Sequence, residues 1–184
     1  MNITITILTM LFCLMFLQEN TVAQSSVVTV NLRFVPVQTI AVQAAQKTTH
    51  LIYAAPEDYE NGVSVIHDNH LTIFSSGGFQ VTVAADNPYF RRVGGRETIP
   101  VEDLVIKAAS GLNSGSQAQF KEATLSVTPA SIIESEKGGR NLNFNISYDN
   151  SLAGSAQKYI DKYIKDDEKE TVYTTNVTYT ILTR

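Results

Sequence analysis

The sequence predicts an all-β protein made of antiparallel sheets, and three observations carry this prediction. Between Leu71 and Ala85 the chain alternates apolar and polar residues with a period of two, broken only by Ser-Ser-Gly-Gly. Such alternation is typical of half-buried strands, and the glycines permit a tight turn or a kink. Other short alternating segments are separated by turn signals about every 8–12 residues, as in a sandwich or barrel. The chain is rich in Thr, Ser, Asn and Val and lacks Trp, which is typical of exposed β-structure.

The first 23 residues have the pattern of a cleaved export signal. Residues 3–17 are apolar apart from three threonines, and small residues at Thr21 and Ala23 suit cleavage before Gln24. The apolar run is shorter than the about 20 residues that a membrane-spanning helix needs. We therefore expect a signal peptide at residues 1–23 and a single domain at residues 24–184, with no membrane span after cleavage. The alternative is an uncleaved membrane anchor.

Charge and cysteine content narrow the class of protein. The net charge is -4, whereas a general nucleic-acid binder needs a basic stripe to replace the counterions of its partner. Nucleic acid is therefore not an expected partner. Cys13, the only cysteine, lies in the apolar run, so the mature chain has no disulfide. An exported domain of this kind depends on its core and its hydrogen-bonded ladders.

The mature chain begins with a predicted strand at residues 27–34. Pro36 then interrupts the pattern, because proline cannot donate a backbone hydrogen bond to a ladder. Residues 37–43 resume the alternation, so the two pieces are expected to have different neighbours. The apolar face of the first piece consists of Val28, Val30, Leu32 and Phe34.

The middle of the chain combines regular and irregular segments. Residues 56–62 predict a loop that ends in the turn signal Asn61-Gly62, followed by a short extended piece at residues 63–66. Residues 71–85 predict two strands that meet at a hairpin or a kink. Residues 86–100 are the most irregular part, because Asn-Pro and Gly-Gly pairs break them.

The second half contains further strands and one ambiguous segment. The clearest alternation of the chain lies at residues 142–148, and a long strand is predicted at residues 171–183. Between residues 151 and 170 two alternatives stay open: a short helix near residues 155–165, or a strand that leads into a charged loop. The apolar stripe that a helix there would present consists of Tyr159, Ile160, Tyr163 and Ile164.

Two clusters contain side chains that are capable of chemistry. In His67-Asp68-Asn69-His70 the histidines would lie on opposite faces of a strand, so we interpret the segment as a polar turn before a strand. A second cluster combines aromatic rings with guanidinium groups, which stack on sugars and bind acidic polymers. Its alternative is a solvated loop whose aromatic rings pack under the sheet. This candidate binding surface consists of Tyr89, Phe90, Arg91, Arg92 and Arg96.

Catalytic chemistry is not predicted. The sequence contains no Gly-x-Ser-x-Gly, Walker or His-Glu-x-x-His motif. We therefore expect no catalytic residues, no metal and no cofactor, and a protein that is not an enzyme.

The export signal and three segments together resemble the pilin-type, spore-coat-like subunits of bacterial surface fibres, with a Bacteroidota-like composition. The segments are TVNLRFVPVQTIAV, FSSGGFQVTVAA and VYTTNVTYTILTR. The resemblance implies an immunoglobulin-like, antiparallel Greek-key β-sandwich, located at the cell surface, outside the cell or in the periplasm. It implies copies of the chain or related surface subunits, and a periplasmic chaperone, as partners. Many chaperone-assembled pilins carry a disulfide, which this mature chain lacks.

Strand exchange explains how such subunits join. A sandwich that lacks one strand leaves a groove of unpaired backbone, and the N-terminal strand of a neighbour fills it. The candidate donor residues here are Val28, Val30, Leu32 and Phe34; the alternative is that this strand pairs within its own domain. The predicted function is a non-enzymatic structural or adhesive subunit of a surface fibre or coat, assembled through residues 27–35. A secreted, monomeric module that binds carbohydrate or a surface is the alternative, and an exported enzyme is the least favoured hypothesis.

Overall fold

The structure is a computed structural model that describes residues 23–115, 117–151, 158–164 and 169–184. The chain divides into two compact units, Met1–Phe34 and Val35–Arg184. The predicted signal peptide, with Cys13, lies outside the described residues apart from Ala23. Much of the ambiguous segment at residues 151–170 also lies outside them.

The unit Val35–Arg184 is built from antiparallel strands, which confirms the all-β prediction. One five-stranded sheet has the order β1-β2-β10-β6-β8, a four-stranded sheet has the order β11-β3-β9-β7, and β4 pairs with β5. The strands are β1 (Gln38–Val42), β2 (Ser64–Ser75), β3 (Phe79–Ala85), β4 (Tyr89–Arg91), β5 (Thr98–Pro100), β6 (Val105–Ser110), β7 (Ala118–Phe120), β8 (Glu122–Thr124), β9 (Ala130–Ser135), β10 (Gly139–Asp149) and β11 (Val177–Thr183). Short 3-10 helices occur at Ala44–Gln46 and Val101–Asp103.

The predicted loop at residues 56–62 is wrong, because Pro56–Asn61 forms a short helix, α1. Proline at the first helical position loses nothing, since its missing N–H would have no partner in the helix. The Asp58 carboxylate accepts hydrogen bonds from the backbone N–H groups of Ala54 and Ala55 at 2.9 and 2.8 Å. These two bonds lower the pKa of Asp58. Gly62, with a φ of 71°, ends the helix and donates its N–H to the Asp58 carbonyl.

The two larger sheets share one hydrophobic core. Phe79 of β3 and Phe144 of β10, which belong to different sheets, meet edge to face with ring centroids 6.3 Å apart. The alternation predicted at residues 142–148 is confirmed, because every second side chain of β10 is buried among the other core residues. These side chains are Leu142, Phe144, Ile146 and Tyr148.

The turn at the centre of residues 71–85 is a crossing between sheets and not a hairpin. β2 belongs to the five-stranded sheet, whereas β3 belongs to the four-stranded sheet. The link from β9 to β10 crosses between the same two sheets. The two crossings touch each other, since an added Cβ at Gly138 would lie 2.1 Å from the Ser75 carbonyl oxygen and 2.7 Å from the Gly77 nitrogen. Glycine is required at residue 138 because two backbones meet there.

The polar turn predicted at residues 67–70 is also wrong, because β2 runs through these residues as a bulged strand. Three β2 residues, 68–70, lie opposite the single residue Asn145 of β10. Asn69 adopts a positive φ of 51°, a conformation that asparagine tolerates better than most residues. Its backbone N–H donates to the Asn145 side-chain oxygen at 2.7 Å. The bulge changes the side-chain alternation and brings His67 and His70 together, with ring centroids 5.1 Å apart.

Three other segments differ from the sequence expectation. No strand occurs in residues 23–37, so the predicted strand at residues 27–34 lacks a ladder partner within the described chain. β11 is shorter than predicted and begins at Val177. Residues 158–164 form turns, neither helix nor strand, and Asp161 has a positive φ of 60°. Of the proposed apolar stripe, Tyr159 and Tyr163 are buried, whereas Ile160 and Ile164 are exposed.

The contact between the two crossings predicts a large effect of Gly138→Ala. The new methyl group would meet backbone atoms that cannot move independently, so the free energy of unfolding should fall by about 2 kcal/mol or more. Gly77→Ala is the matched control, because an added Cβ there meets nothing within 4 Å. Its effect should stay within about 0.5 kcal/mol. Urea unfolding of the two variants measures both values, and equal effects would contradict the crossing contact.

Candidate functional site

Each of the two larger sheets ends in two edge strands, β1 and β8 in the five-stranded sheet and β7 and β11 in the four-stranded sheet. β1 pairs only with β2, and β11 pairs only with β3. An edge strand presents a row of backbone donors and acceptors that can pair with another chain. Of these edge strands, β1 and β11 lie next to each other, and they define a candidate site for an added strand.

The hydrogen-bond register shows which backbone groups of β11 face outward. Asp86 N–H donates to the Asn176 carbonyl at 3.1 Å, and Arg184 N–H donates to the Gly78 carbonyl at 3.1 Å. Because bonded positions alternate in an antiparallel pair, the even-numbered residues of β11 face β3. The outward-facing N–H and C=O groups consequently belong to Val177, Tyr179, Ile181 and Thr183.

The same argument applies to β1. Gln43 N–H donates to the His70 carbonyl at 2.9 Å, and Ser76 N–H donates to the Val37 carbonyl at 3.0 Å. The odd-numbered residues of β1 therefore face β2, and the outward backbone groups belong to Gln38, Ile40 and Val42.

The side chains at these same positions are only partly covered. In central strands the inward side chains are fully buried, for example Val81 and Val83 of β3. The inward side chains of β1 and β11 pack against the core but remain half-buried. We call these five residues the acceptor edge: Ile40, Val42, Val177, Tyr179 and Ile181.

The N-terminal unit contains an alternating row of exposed apolar side chains. The candidate donor residues keep most of their surface exposed, with values between 78 and 88%. Their spacing of two puts them on one side of an extended chain. Isolated exposed apolar residues are normal, but an alternating row of this kind is typical of a surface that binds another molecule. The exposed row consists of Val28, Val30, Leu32 and Phe34.

A polar cluster lies beneath the acceptor edge and joins the two sheets. The Tyr179 hydroxyl donates to the Tyr148 hydroxyl at 2.8 Å, and Tyr148 lies 3.0 Å from His70 Nε2. His70 Nδ1 lies 3.0 Å from the Gln46 side-chain oxygen, an acceptor that requires the ring proton on Nδ1. Neutral His70 therefore accepts from Tyr148 and donates to Gln46.

His67 extends this cluster. Its ring stacks on His70, and its Nε2 lies 2.9 Å from the Thr49 hydroxyl. The His70 cluster thus comprises residues from β2, β10, β11 and the segment after β1. The members are Gln46, Thr49, His67, His70, Tyr148 and Tyr179.

Burial controls the protonation of this cluster. His70 is only 1% exposed. Burial, followed by the charge of His67, lowers the pKa of His70 from its ordinary value of 6.5 to about 4. Burial also raises the pKa of the Tyr148 and Tyr179 hydroxyls. At neutral pH His70, Tyr148 and Tyr179 are therefore uncharged, which suits their position between the sheets.

The predicted basic and aromatic surface is only partly formed. Tyr89 and Arg91 share the exposed face of β4, whereas Phe90 points to the other face and packs against the core. Phe90 is therefore not available for stacking on a ligand. Arg96 is exposed in the loop between β4 and β5, and Arg92 is half-buried. A shallow groove of about 280 Å³ beside this surface is lined by Arg91, Arg92, Val93, Glu170, Val172 and Thr174.

A second buried network was missed by sequence reasoning. The Asp103 carboxylate accepts from the Tyr159 hydroxyl at 2.8 Å and from Lys158 Nζ at 2.6 Å. Asn150 donates to the Asp103 carbonyl at 2.8 Å and accepts from the Tyr53 hydroxyl. Burial raises the pKa of Tyr53 and Tyr159. No local pattern could reveal the network, because its hydrogen bonds join residues up to 97 positions apart in the chain.

Beside this network lies an open groove of about 310 Å³ between α1 and the turns at residues 158–164. Its lining residues are Pro56, Tyr59, Glu60, Ile160, Asp161 and Ile164.

Across the part of the chain that the structure describes, no three His, Cys, Asp or Glu side chains gather closely enough to hold a metal ion. Within that same part, no helix has the length and apolar character to cross a membrane.

Comparison with known proteins gives no family assignment. The chain matches no protein-family model and no curated protein sequence.

The lowered pKa of His70 predicts a loss of stability in mild acid. The unfolded chain binds a proton at His70 below pH 6.5, whereas the folded chain resists protonation until about pH 4. The stabilisation is therefore complete above pH 6.5 and is lost as the pH falls toward 4. Between pH 7 and pH 5 the free energy of unfolding should fall by about 1–2 kcal/mol through this group.

Urea unfolding at several pH values measures this effect. His70→Asn should remove the decline between pH 7 and pH 5, while His50→Asn, at an exposed histidine, should keep it. An undiminished decline in His70→Asn would assign the pH dependence to other groups.

Proposed function

We propose that this protein is an exported, non-enzymatic subunit of a bacterial surface fibre or coat, with a structural or adhesive role. In this proposal the two larger sheets form an immunoglobulin-like Greek-key sandwich. Residues 27–35 of one copy pair with the acceptor edge of the next copy. The partners are copies of the chain or related surface subunits, and a periplasmic chaperone protects the edge before assembly.

The observation that carries the proposal is the exposed apolar row Val28, Val30, Leu32 and Phe34. Each of these side chains gains about 1.5–3 kcal/mol when it is fully buried, before the cost of ordering the segment is subtracted. A stretch that exposes all four in solution therefore gains considerably from a partner that covers them. Thr29, Asn31 and Arg33 alternate with them and would remain in solvent.

The acceptor edge offers hydrogen-bond partners for the backbone of such a segment. An extended segment offers unpaired backbone groups on both of its sides, and the edges of β1 and β11 present the matching donors and acceptors. Half-buried Val177, Tyr179 and Ile181 leave apolar surface for alternate donor side chains to cover. Addition of a strand to a sheet edge is a common mode of peptide recognition, with side-chain pockets that determine specificity.

Deletion of residues 24–35 tests the proposal directly. The shortened protein should fold, because the core is formed by residues of Val35–Arg184, and it should remain monomeric. The intact protein should form ladders that resist SDS. An unfolded deletion variant, or an intact protein that never polymerises, would contradict strand donation.

Point variants test whether assembly depends on the apolar face of residues 27–35 or only on the presence of this segment. Leu32→Asp places a charge on the apolar face and should reduce polymer by about 100-fold or more, because a buried unpaired charge is costly. Asn31→Asp is the matched control, since it introduces the same carboxylate on the polar face and should retain polymer. Equal loss in both variants would mean that the alternation does not matter.

A second candidate function is binding of carbohydrate or another surface by a monomer. It is favoured by the exposed pair Tyr89 and Arg91 on one face of β4, beside the groove of about 280 Å³. A ring and a guanidinium side by side can stack on a sugar and donate hydrogen bonds to it.

Arg91→Ala tests this second function. On a glycan array the variant should lose the signal by about tenfold or more if Arg91 contacts the ligand, as truncation of a binding arginine typically does. Arg140→Ala, at an exposed arginine of β10 outside the groove, is the control. If the intact protein gives no signal on the array, the proposed binding function is contradicted.

A further inference from the structure

We propose that the His70 cluster makes the acceptor edge responsive to mild acid, so that protonation of His70 loosens β11 and speeds the uptake of a donor strand. The inference rests on the proposed strand exchange and adds a regulatory element to it. The ligand is the N-terminal segment of a second copy, and the signal is a proton.

The cluster is placed where it can act on the edge. Tyr179 belongs both to the acceptor edge and to the cluster, and its hydroxyl donates to Tyr148 of the opposite sheet at 2.8 Å. His70 accepts from Tyr148, and Gln46 lies four residues beyond the end of β1. One chain of hydrogen bonds therefore connects β11 to the segment that follows β1 through a single imidazole.

Protonation changes what this imidazole can do. Neutral His70 offers a lone pair on Nε2 to the Tyr148 hydroxyl, whereas the imidazolium carries a proton on both nitrogens and can only donate. The Tyr148 hydroxyl then loses His70 Nε2 as its acceptor, although it still accepts a hydrogen bond from the Tyr179 hydroxyl. The positive charge is also buried, and it lies beside His67 at a ring distance of 5.1 Å.

The surroundings provide no compensation for that charge. The groups that face His70 are His67 of β2, Tyr148 of β10, Tyr179 of β11, and Gln46 in the segment after β1. Among these described partners there is no carboxylate. Access of water to His70 would relieve the penalty, and it requires movement of an adjacent element.

The edge strands are the elements that can move at least cost. β11 is held by one neighbouring strand, whereas β2 and β10 each have two. Local opening starts where the fewest hydrogen bonds and contacts must be broken. Acid is therefore expected to loosen β11 before it affects the central strands.

Hydrogen exchange on the intact protein tests the loosening. The amides of Thr178, Thr180 and Leu182 face β3 and report on β11 alone. Their protection factors should fall by about tenfold between pH 7 and pH 5, relative to the amides that join β3 to β9. A fall that is equal in all strands would overturn the proposal.

Uptake of a labelled synthetic peptide of residues 24–36 tests the consequence. Its association rate with the intact protein should rise by about tenfold from pH 7 to pH 5, in parallel with the opening of the edge. A peptide with Leu32→Asp should not bind at either pH. Binding at the same rate at both pH values overturns the acid response and leaves strand exchange intact, whereas no binding at either pH overturns both.

Three variants assign the response to His70. His70→Asn should abolish it, and His50→Asn, at an exposed histidine, should keep it. Gln46→Glu should weaken it, because a carboxylate opposite Nδ1 stabilises the imidazolium without removing any hydrogen bond. Gln46 is only half-buried, so this variant remains informative if His70→Asn does not fold. A full acid response in His70→Asn or in Gln46→Glu would overturn the proposal.

Discussion

The edge of a β-sheet is the constraint on which this structure depends. The central strands pair on both sides and bury alternate side chains, whereas β1, β11 and the shorter edge strands β7 and β8 have a neighbour on one side only. Because β1 and β11 lie at an edge, their inward side chains Ile40 and Tyr179 are only half-buried. Proteins usually blunt such edges with charges or prolines. β11 contains neither, since its residues are Val, Thr, Tyr, Ile and Leu.

The hydrogen-bonded cluster behind this edge gives it a chemical sensitivity that a purely apolar core would lack. Tyrosine hydroxyls and an imidazole between two sheets are tolerated because each has a partner. The arrangement depends on the neutral form of His70, since its Nε2 must accept from Tyr148. In the proposed acid response, stability and edge closure are therefore linked to one proton. The second polar network, around Asp103, contains a lysine partner for its carboxylate and so tolerates charge in a way that the His70 cluster does not.

Prediction from sequence succeeded where a local pattern determines the structure and failed where contacts between residues far apart in the chain determine it. The alternation at residues 142–148 identified β10 because a central strand buries one complete face. At residues 27–34 an equally clear alternation forms no strand, since a strand needs a partner ladder as well as a pattern. The Gly-Gly pair at residues 77–78 marked a break correctly, but a hairpin and a crossing between sheets require similar local flexibility. His67 and His70 were expected on opposite faces, and the bulge at Asn69 reversed this.

The amino-acid pattern alone determined that the chain is all-β and antiparallel, and it located most of the central strands. A period of two follows directly from the pleat, so it can be recognised without knowledge of any neighbour. Tertiary structure alone decided which strands share a sheet, which strands lie at the sheet edges, and how His70 meets Tyr148 and Tyr179. These features join residues as far as 109 positions apart in the chain, as in the ring contact of His70 with Tyr179. Packing of distant segments creates them, and no local sequence signal encodes it.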